Sequence, residues 1–212
     1  MLLDIQDYMT RAIRGDVTVS PDNLDLFVDD CRAAIEKQLG GRTREYRIRM
    51  SGLGKPLCQQ ILDKFGIEES MEYNSIARFA FGDLTEALLM LVMREAGIDI
   101  VDFQKEVVLE IEGVVVKGTL DVIIRGTDGV ERVWDIKSAS DWAFKYKFTG
   151  SGGYEHIKND DPFGYVMQGH LYGAATGLDF GGWIVINKSS GEVAIVEAHD
   201  WTGDDRVAYM LE

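Results

Sequence analysis

Apolar and polar positions recur along this chain with two different periods, and the change of period divides it into elements. Residues 1 to 40 read as helical. SPDNLDLFVDDCRAAIEKQLGG opens on Ser20, Pro21 and Asp22, carries apolar residues at helical spacing and stops at Gly40 and Gly41. An arginine-rich stretch follows, and SGLGKPLCQQILDKFG reads as a turn leading into a short helix. NSIARFAFGDLTEALLMLVMREAG, residues 74 to 97, is the strongest helical signal, with Asn74 or Ser75 to cap it and Gly97 to end it. The period then drops to two, which predicts three strands over 103–111, 114–125 and 130–138. Residues 139 to 161 lack a clear period and contain TGSGG, so a mobile loop is expected there. DPFGYVMQGHLYGAATG reads as a helix with Pro162 in its first turn and Gly177 at its end, and WIVINKSSGEVAIVE as a closing hairpin. Helices on the faces of a mixed sheet make an α/β or α+β domain.

Several polar residues interrupt this pattern. Side chains alternate along a strand, so Asp135 and Lys137 share one face of the third strand while Trp134 and Ile136 take the other. Asp121 points opposite to Val122 and Ile124, and a hairpin brings the two acid-bearing faces side by side. On the long helix, Glu86 shares a stripe with Phe79, Gly82, Met90 and Met93. On the later helix, Gln168 lies in line with Tyr165, Tyr172 and Ala175. Taken singly, each has an ordinary reading: a solvated helix face, an edge-strand residue, a half-exposed ion pair of little worth, a core hydrogen bond. Taken together, four elements each aim a polar group at the sheet. An unpaired buried carboxylate is very costly, and a metal ion accounts for all four.

Composition narrows the metal. The chain has 212 residues, 46% of them apolar, which suits one domain with a sizeable core. Cys31 and Cys58 form no CxxC pair, and His156, His170 and His199 are scattered, so a His/Cys site is not signalled. Oxygen ligands favour Mg²⁺, Mn²⁺ or Ca²⁺, and no EF-hand loop is present. The formal net charge of −14 argues against a protein that coats nucleic acid, but not against a local basic groove. Charge is uneven: residues 192 to 212 hold six acids and one arginine, whereas GRTREYRIR holds four arginines and one acid. No apolar run is long enough to span a bilayer, and MLLDIQDYMTRAIRG has acids where a signal peptide needs basic residues. A cytoplasmic protein without a membrane partner is expected. DWAFKYKF alternates aromatic and basic residues; it reads either as a loop or edge strand on the core, or as a stacking platform for an unpaired DNA end.

The set Gly118-Thr-Leu-Asp121, Asp135-Ile-Lys137, upstream Glu86 and downstream Gln168-Gly-His-Leu-Tyr172 resembles the PD-(D/E)XK nuclease superfamily. The Gln-x3-Tyr element and Gly-Asp-Leu-Thr-Glu look most like its phage λ-type and RecB-like exonucleases, and Arg49-Met-Ser-Gly-Leu-Gly-Lys looks like the entry helix of that branch. The resemblance covers about residues 49 to 197. It implies a restriction-endonuclease-like core of helix, three strands, helix and strand in residues 49–212, behind an N-terminal helical extension over 1–48. It also implies a Mg²⁺- or Mn²⁺-dependent deoxyribonuclease, an exonuclease of phage-type recombination, replication or repair. An endonuclease on the same fold and a non-cutting DNA-binding module are the alternatives. Glu86, Asp121, Asp135 and the backbone carbonyl of Ile136 would bind the metal. Lys137 would meet the attacking water or the scissile phosphate, and Gln168 would orient one of them, with Tyr172 packed behind it or touching the DNA backbone. Lys145, Lys147, Arg42, Arg44, Arg47, Arg49, Ser51 and Lys55 are the expected DNA contacts. Some relatives hold an iron–sulfur cluster with four cysteines; two cysteines cannot, so no iron–sulfur cluster is expected. The resemblance further implies DNA with a free end as partner, a single-strand-annealing or other recombination protein beside it, and an oligomer in the λ-type manner.

Overall fold

The computed structural model describes residues 1–40, 46–66, 72–150 and 153–198. The N-terminal forty residues form two helices, α1 (Leu2–Ile13) and α2 (Pro21–Leu39). Two short helices, α3 (Met50–Leu53) and α4 (Leu57–Lys64), lead to the long α5 (Tyr73–Glu95). Strands β1 (Ile100–Ile111), β2 (Val114–Arg125) and β3 (Glu131–Ala139) follow. The chain then crosses through α6 (Asp141–Ala143), a π-helical turn (Phe144–Phe148), α7 (Gly153–Asn159) and α8 (Tyr165–Thr176). Strands β4 (Asp179–Asn187) and β5 (Val193–Glu197) complete it. The result is a five-stranded mixed sheet in the order β1-β2-β3-β4-β5, flanked by helices. All neighbours pair antiparallel except β3 and β4, which are parallel and need the long crossover.

The sheet buries both faces. On one, Leu89, Met90 and Met93 of α5 and Ile5 of α1 pack with Val122, Ile124, Trp134, Ile136 and Ile184. On the other, Leu171 and Tyr172 of α8 and Met50 of α3 pack with Leu120, Val133, Trp183 and Val185. The stripe assigned to α5 is right for Met90 and Met93, which are fully buried, but Phe79 is 48% exposed. Helix α2 lies along α5 through partly buried polar pairs: Arg94 with Asp30 at 3.0 Å, and Asn23 Nδ2 donating to Glu95 Oε1 at 2.6 Å. Among the described residues no helix is long and apolar enough to cross a membrane.

Two sequence expectations fail in the crossover. Residues 139 to 161 are not a structureless loop: Phe144, Phe148, Tyr154 and Ile157 are buried. In the π-turn, Thr149 N–H bonds the carbonyl of Phe144, five residues back, and spacing of four then puts Phe144 and Phe148 on one side. Trp142 and Tyr146 are left outside, 68% and 62% exposed, so the run looked like a strand only because it alternates. The later helix also begins after Pro162, not at it. Gly164 takes φ = 72°, and the carboxylate of Asp161 accepts from the N–H groups of Tyr165 (2.9 Å) and Val166 (2.8 Å), capping α8 from outside. Gly164 sits against Gly54, where an added Cβ would stand 2.5 Å from the Gly164 Cα, so α3 docks on the start of α8 backbone to backbone.

Gly118 shows how closely the same elements meet on β2. A Cβ there would lie 2.7 Å from a ring carbon of Tyr172 and 2.8 Å from the sulfur of Met50. Gly118→Ala is expected to destabilise the fold by about 1–3 kcal/mol, the usual cost of overpacking a filled core. Chemical denaturation checks this; a midpoint unchanged from wild type would mean that α3 and α8 sit further from the sheet.

Candidate active site

The β2–β3 ladder runs from Arg125 opposite Glu131 to Val122 opposite Trp134. One further step on this register sets Asp121 across from Asp135, but there the ladder has ended. The N–H of Ile136 donates instead to Asp121 Oδ2 at 2.8 Å. The N–H and C=O of one strand residue point the same way, so the carbonyl of Ile136 also faces the gap beside Asp121. Both aspartates thus stand where two strands part, with backbone polar groups turned towards them.

Asp135 is 1% exposed. Lys137 Nζ lies 2.6 Å from its Oδ2, yet neither carboxylate oxygen accepts a well-directed hydrogen bond. The short distance and the missing hydrogen bond are reconciled if the contact is chiefly coulombic, with poor angles. Lys137 Nζ also lies 3.4 Å from Gln168 Oε1 and 4.9 Å from the centre of the Tyr165 ring. Gln168 Nε2 donates to the hydroxyl of Tyr172 (3.1 Å), which donates to the carbonyl of Thr119 (2.8 Å). Residues four apart on α8 therefore form a relay from the ammonium to the backbone of β2. Tyr172 is 2% exposed with its hydroxyl committed inward, an arrangement that suits packing behind Gln168 rather than touching a DNA backbone.

Glu86 approaches from α5 on the third side. Gln104 Nε2 donates to its Oε1 at 2.7 Å. Gln104 is a residue the sequence reading missed, and it adopts φ = 49°, rare for a side chain without special need. The β1–β2 register skips Gln104 and Asp121 while pairing the residues on either side, so the strand kinks beside the acid. The apolar face of β2 changes there too: Val116 and Leu120 pack towards α8, Val122 and Ile124 towards α5. Backbone conformation of this kind leaves no mark in the residue pattern DFQKEV.

The carboxylates feel one another. Burial, then the charges of Asp83 and Asp135, push Glu86 from 4.5 to about 7, although Lys37 and Lys137 pull the other way. Burial, followed by the charges of Asp135 and Glu86, holds Asp121 well above the usual carboxylate range. Burial also opposes the charge on Lys137, but Asp135 and Asp121 outweigh it and keep the ammonium protonated, its pKa raised. Burial lifts the Tyr172 phenol to about 12, so it stays a donor.

Among the described residues, no three Asp, Glu, His or Cys side chains already stand as a metal cage. Each acid is held by a different donor: Glu86 by an amide, Asp121 by a backbone N–H, Asp135 by an ammonium. The donor set nevertheless fits a hard divalent cation. It consists of oxygens, two of them on a buried aspartate without hydrogen bonds, and a cation would relieve the mutual repulsion that raises Glu86 and Asp121.

The expected DNA contacts come from several elements. Lys147 Nζ lies 4.7 Å from the centre of the Tyr165 ring, which also meets Lys137. Lys145 is paired with Asp141 at 2.9 Å. Arg49 and Ser51 are exposed at α3, which packs on α8, and Lys55 lies 3.8 Å from Asp63. Arg47 is exposed just before them, and Arg42 and Arg44 fall outside the described residues. A surface cleft between β1 and the end of α8, lined by Val107, Ile123, Ala175 and Leu178 among others, contains none of the candidate residues.

No protein-family model matches this chain, and no curated protein does. Among solved structures, that of SSO0001 is similar in fold, with 18% sequence identity over 87% of this chain and 85% of that one and a TM-score of 0.50.

Proposed function

We propose that this protein is a divalent-metal-dependent deoxyribonuclease that hydrolyses phosphodiester bonds, working as an exonuclease on DNA with a free end. The observation that carries the reading is the buried Asp135–Lys137 pair beside Asp121, at the point where two strands separate. A structural salt bridge has no need of a second, partly buried acid raised in pKa against it, nor of a glutamate from another element. The order α5, β1 to β3, α8, β4 is also the order that the superfamily resemblance implies, and supports a restriction-endonuclease-like core.

Glu86, Asp121, Asp135 and the carbonyl of Ile136 are the residues that would hold Mg²⁺ or Mn²⁺. When bound, such a cation supplies Lewis acidity towards the phosphate and lowers the pKa of water. The chain's own residues do the rest. Lys137 offers a fixed positive charge where charge develops on the phosphate during attack. Gln168, with its amide N–H group held by Tyr172, presents its carbonyl oxygen towards Lys137 and fixes that ammonium or a water beside it. Burial around Asp135 excludes bulk water and strengthens each of these charges. Partner proteins of recombination and a cytoplasmic setting belong to the same reading. Incubation with Mg²⁺ and end-labelled linear DNA, single-stranded or duplex, or a covalently closed circle tests it: loss of a linear form alone is expected, and survival of both the single-stranded and the duplex linear substrates contradicts it.

Glu86→Gln is expected to weaken Mn²⁺ binding and cleavage while stabilising the metal-free protein. A carboxyl that titrates near 7 when folded and near its ordinary 4.5 when unfolded binds its proton more tightly in the fold. The stability it contributes is present below 4.5 and lost as pH rises through about 7. The Tm gain of the variant should therefore be small in acid and larger at pH 8. Equal Mn²⁺ affinity by calorimetry would remove Glu86 from the site.

A further inference from the structure

Phe163 is 57% exposed, yet it is not a loose surface residue. Its ring stacks on Tyr165, with centroids 5.5 Å apart and planes 20° from parallel. Lys147 Nζ stands 4.6 Å from the Phe163 ring centre and 4.7 Å from that of Tyr165. Lys137 Nζ stands 4.9 Å from the same Tyr165 centre. Tyr165 thus joins two ammoniums, one paired to Asp135 and one shared with the half-exposed ring of Phe163. The two cations are close enough to meet phosphates of one strand. The inner side of the ledge is fixed, because Tyr165 also stacks on buried Phe148, 6.1 Å away, and its N–H is held by Asp161.

Resting on the nuclease reading, we infer that Phe163, Tyr165 and Lys147 form a subsite for an unpaired nucleotide next to the scissile phosphate. The base stacks on Phe163 and Lys147 holds its phosphate, so the preferred substrate is a single-stranded DNA end. An aromatic face accepts any base, whereas a paired base in a duplex has both faces already covered by its neighbours. The chemistry of the ledge matches such a ligand: an aromatic ring 57% exposed beside a cation that burial has partly stripped of water. Asp160 and Asp161 are the opposing charges nearby, and the Asp161 carboxylate is already occupied by two backbone N–H groups. This ledge is distinct from the stacking platform expected from DWAFKYKF, although Lys147 of that run takes part in it. Phe144 and Phe148 face the core and Trp142 and Tyr146 pair with each other outside it, whereas the ring that shares Lys147 with Tyr165 is contributed by the residue after Pro162.

The test uses the full chain with Ca²⁺ in place of Mg²⁺ and a single-stranded oligonucleotide of about ten nucleotides, within the usual 4–16 nucleotide footprint. The oligonucleotide carries 2-aminopurine at its end. Wild type should quench the probe and bind it. Phe163→Ala should abolish the quench and weaken single-strand binding roughly 10-fold, within the range for one lost base stack, while blunt-duplex binding changes less than about twofold. Phe163→Trp should restore both readouts. A Phe163→Ala variant that quenches as wild type does, a wild type that fails to bind the single strand, or an equal loss on single strand and duplex overturns the subsite. Because no bond is cut here, the outcome is separate from the nuclease reading: a protein that digests no DNA in Mg²⁺ can still show the quench, and an active nuclease can lack it.

Discussion

Asp121→Asn and Asp135→Asn should both abolish DNA cleavage while shifting the stability of the metal-free protein in opposite directions. The loss of cutting should exceed about 10²-fold in each, the upper end of what outer-shell groups around a metal contribute. The divergence in stability follows from their partners. Asp121 is held well above the usual carboxylate range by burial and by the charges of Asp135 and Glu86. Its ionisation costs the fold free energy: the contribution is favourable below the unfolded value of 3.8 and is lost as pH rises through the raised folded value. Asparagine keeps the oxygen that accepts from Ile136 N–H and removes the charge, so Asp121→Asn should melt higher at pH 8 and nearly as wild type near pH 3. Asp135 instead neutralises Lys137, whose side chain is only 19% exposed. Removing its charge breaks that buried pair and leaves Asp121 as the ammonium's remaining counter-charge, at a cost of up to roughly 3 kcal/mol, the low end for breaking a buried pair. Calorimetric melting of the two variants without metal checks the pair of signs. A shift in the same direction for both would mean that the acids form one structural network.

Lys137→Met carries the second large effect, and it addresses mechanism. The substitution keeps the aliphatic stem and removes the charge. Lys137 cannot ligate a cation while protonated, so its work is on charge that develops during attack and should appear in the transition state. A fall in single-turnover rate of roughly 10²-fold or more is expected, the scale of losing one electrostatic stabiliser. DNA affinity measured with Ca²⁺ should change little. The metal-free variant should also melt lower, since Asp135 at 1% exposure loses its only ion-pair partner among the described residues. Loss of affinity in proportion to rate would make Lys137 a phosphate anchor instead.

Much of this arrangement was legible in the residues. Strand periodicity located β2 and β3 to within a residue and put Asp135 and Lys137 on one face, because alternation is a local property of extended chain. The spacing of four between Gln168 and Tyr172 was legible for the same reason, and their side chains do meet. What the sequence hid is non-local or depends on backbone conformation. Nothing in DFQKEV announces that Gln104 turns to φ = 49° and reaches Glu86. Nothing in FKYKF announces a π-turn, since its residues serve a strand equally well and tertiary burial of Phe144 and Phe148 decides the matter. The pairing of Lys147 with Phe163 and Tyr165 joins residues sixteen and eighteen positions apart across α7, beyond any periodicity.

The central claim is that the carboxylates between β2 and β3 make this chain a metal-dependent nuclease. Its most direct test is the release of acid-soluble nucleotides from linear DNA by the purified protein, followed while Mg²⁺ is added, chelated and restored. The account predicts release that starts with Mg²⁺, stops with chelator and resumes on restoration. Release that continues undiminished in excess chelator, or no release with Mg²⁺ or Mn²⁺ on either single- or double-stranded ends, would contradict it.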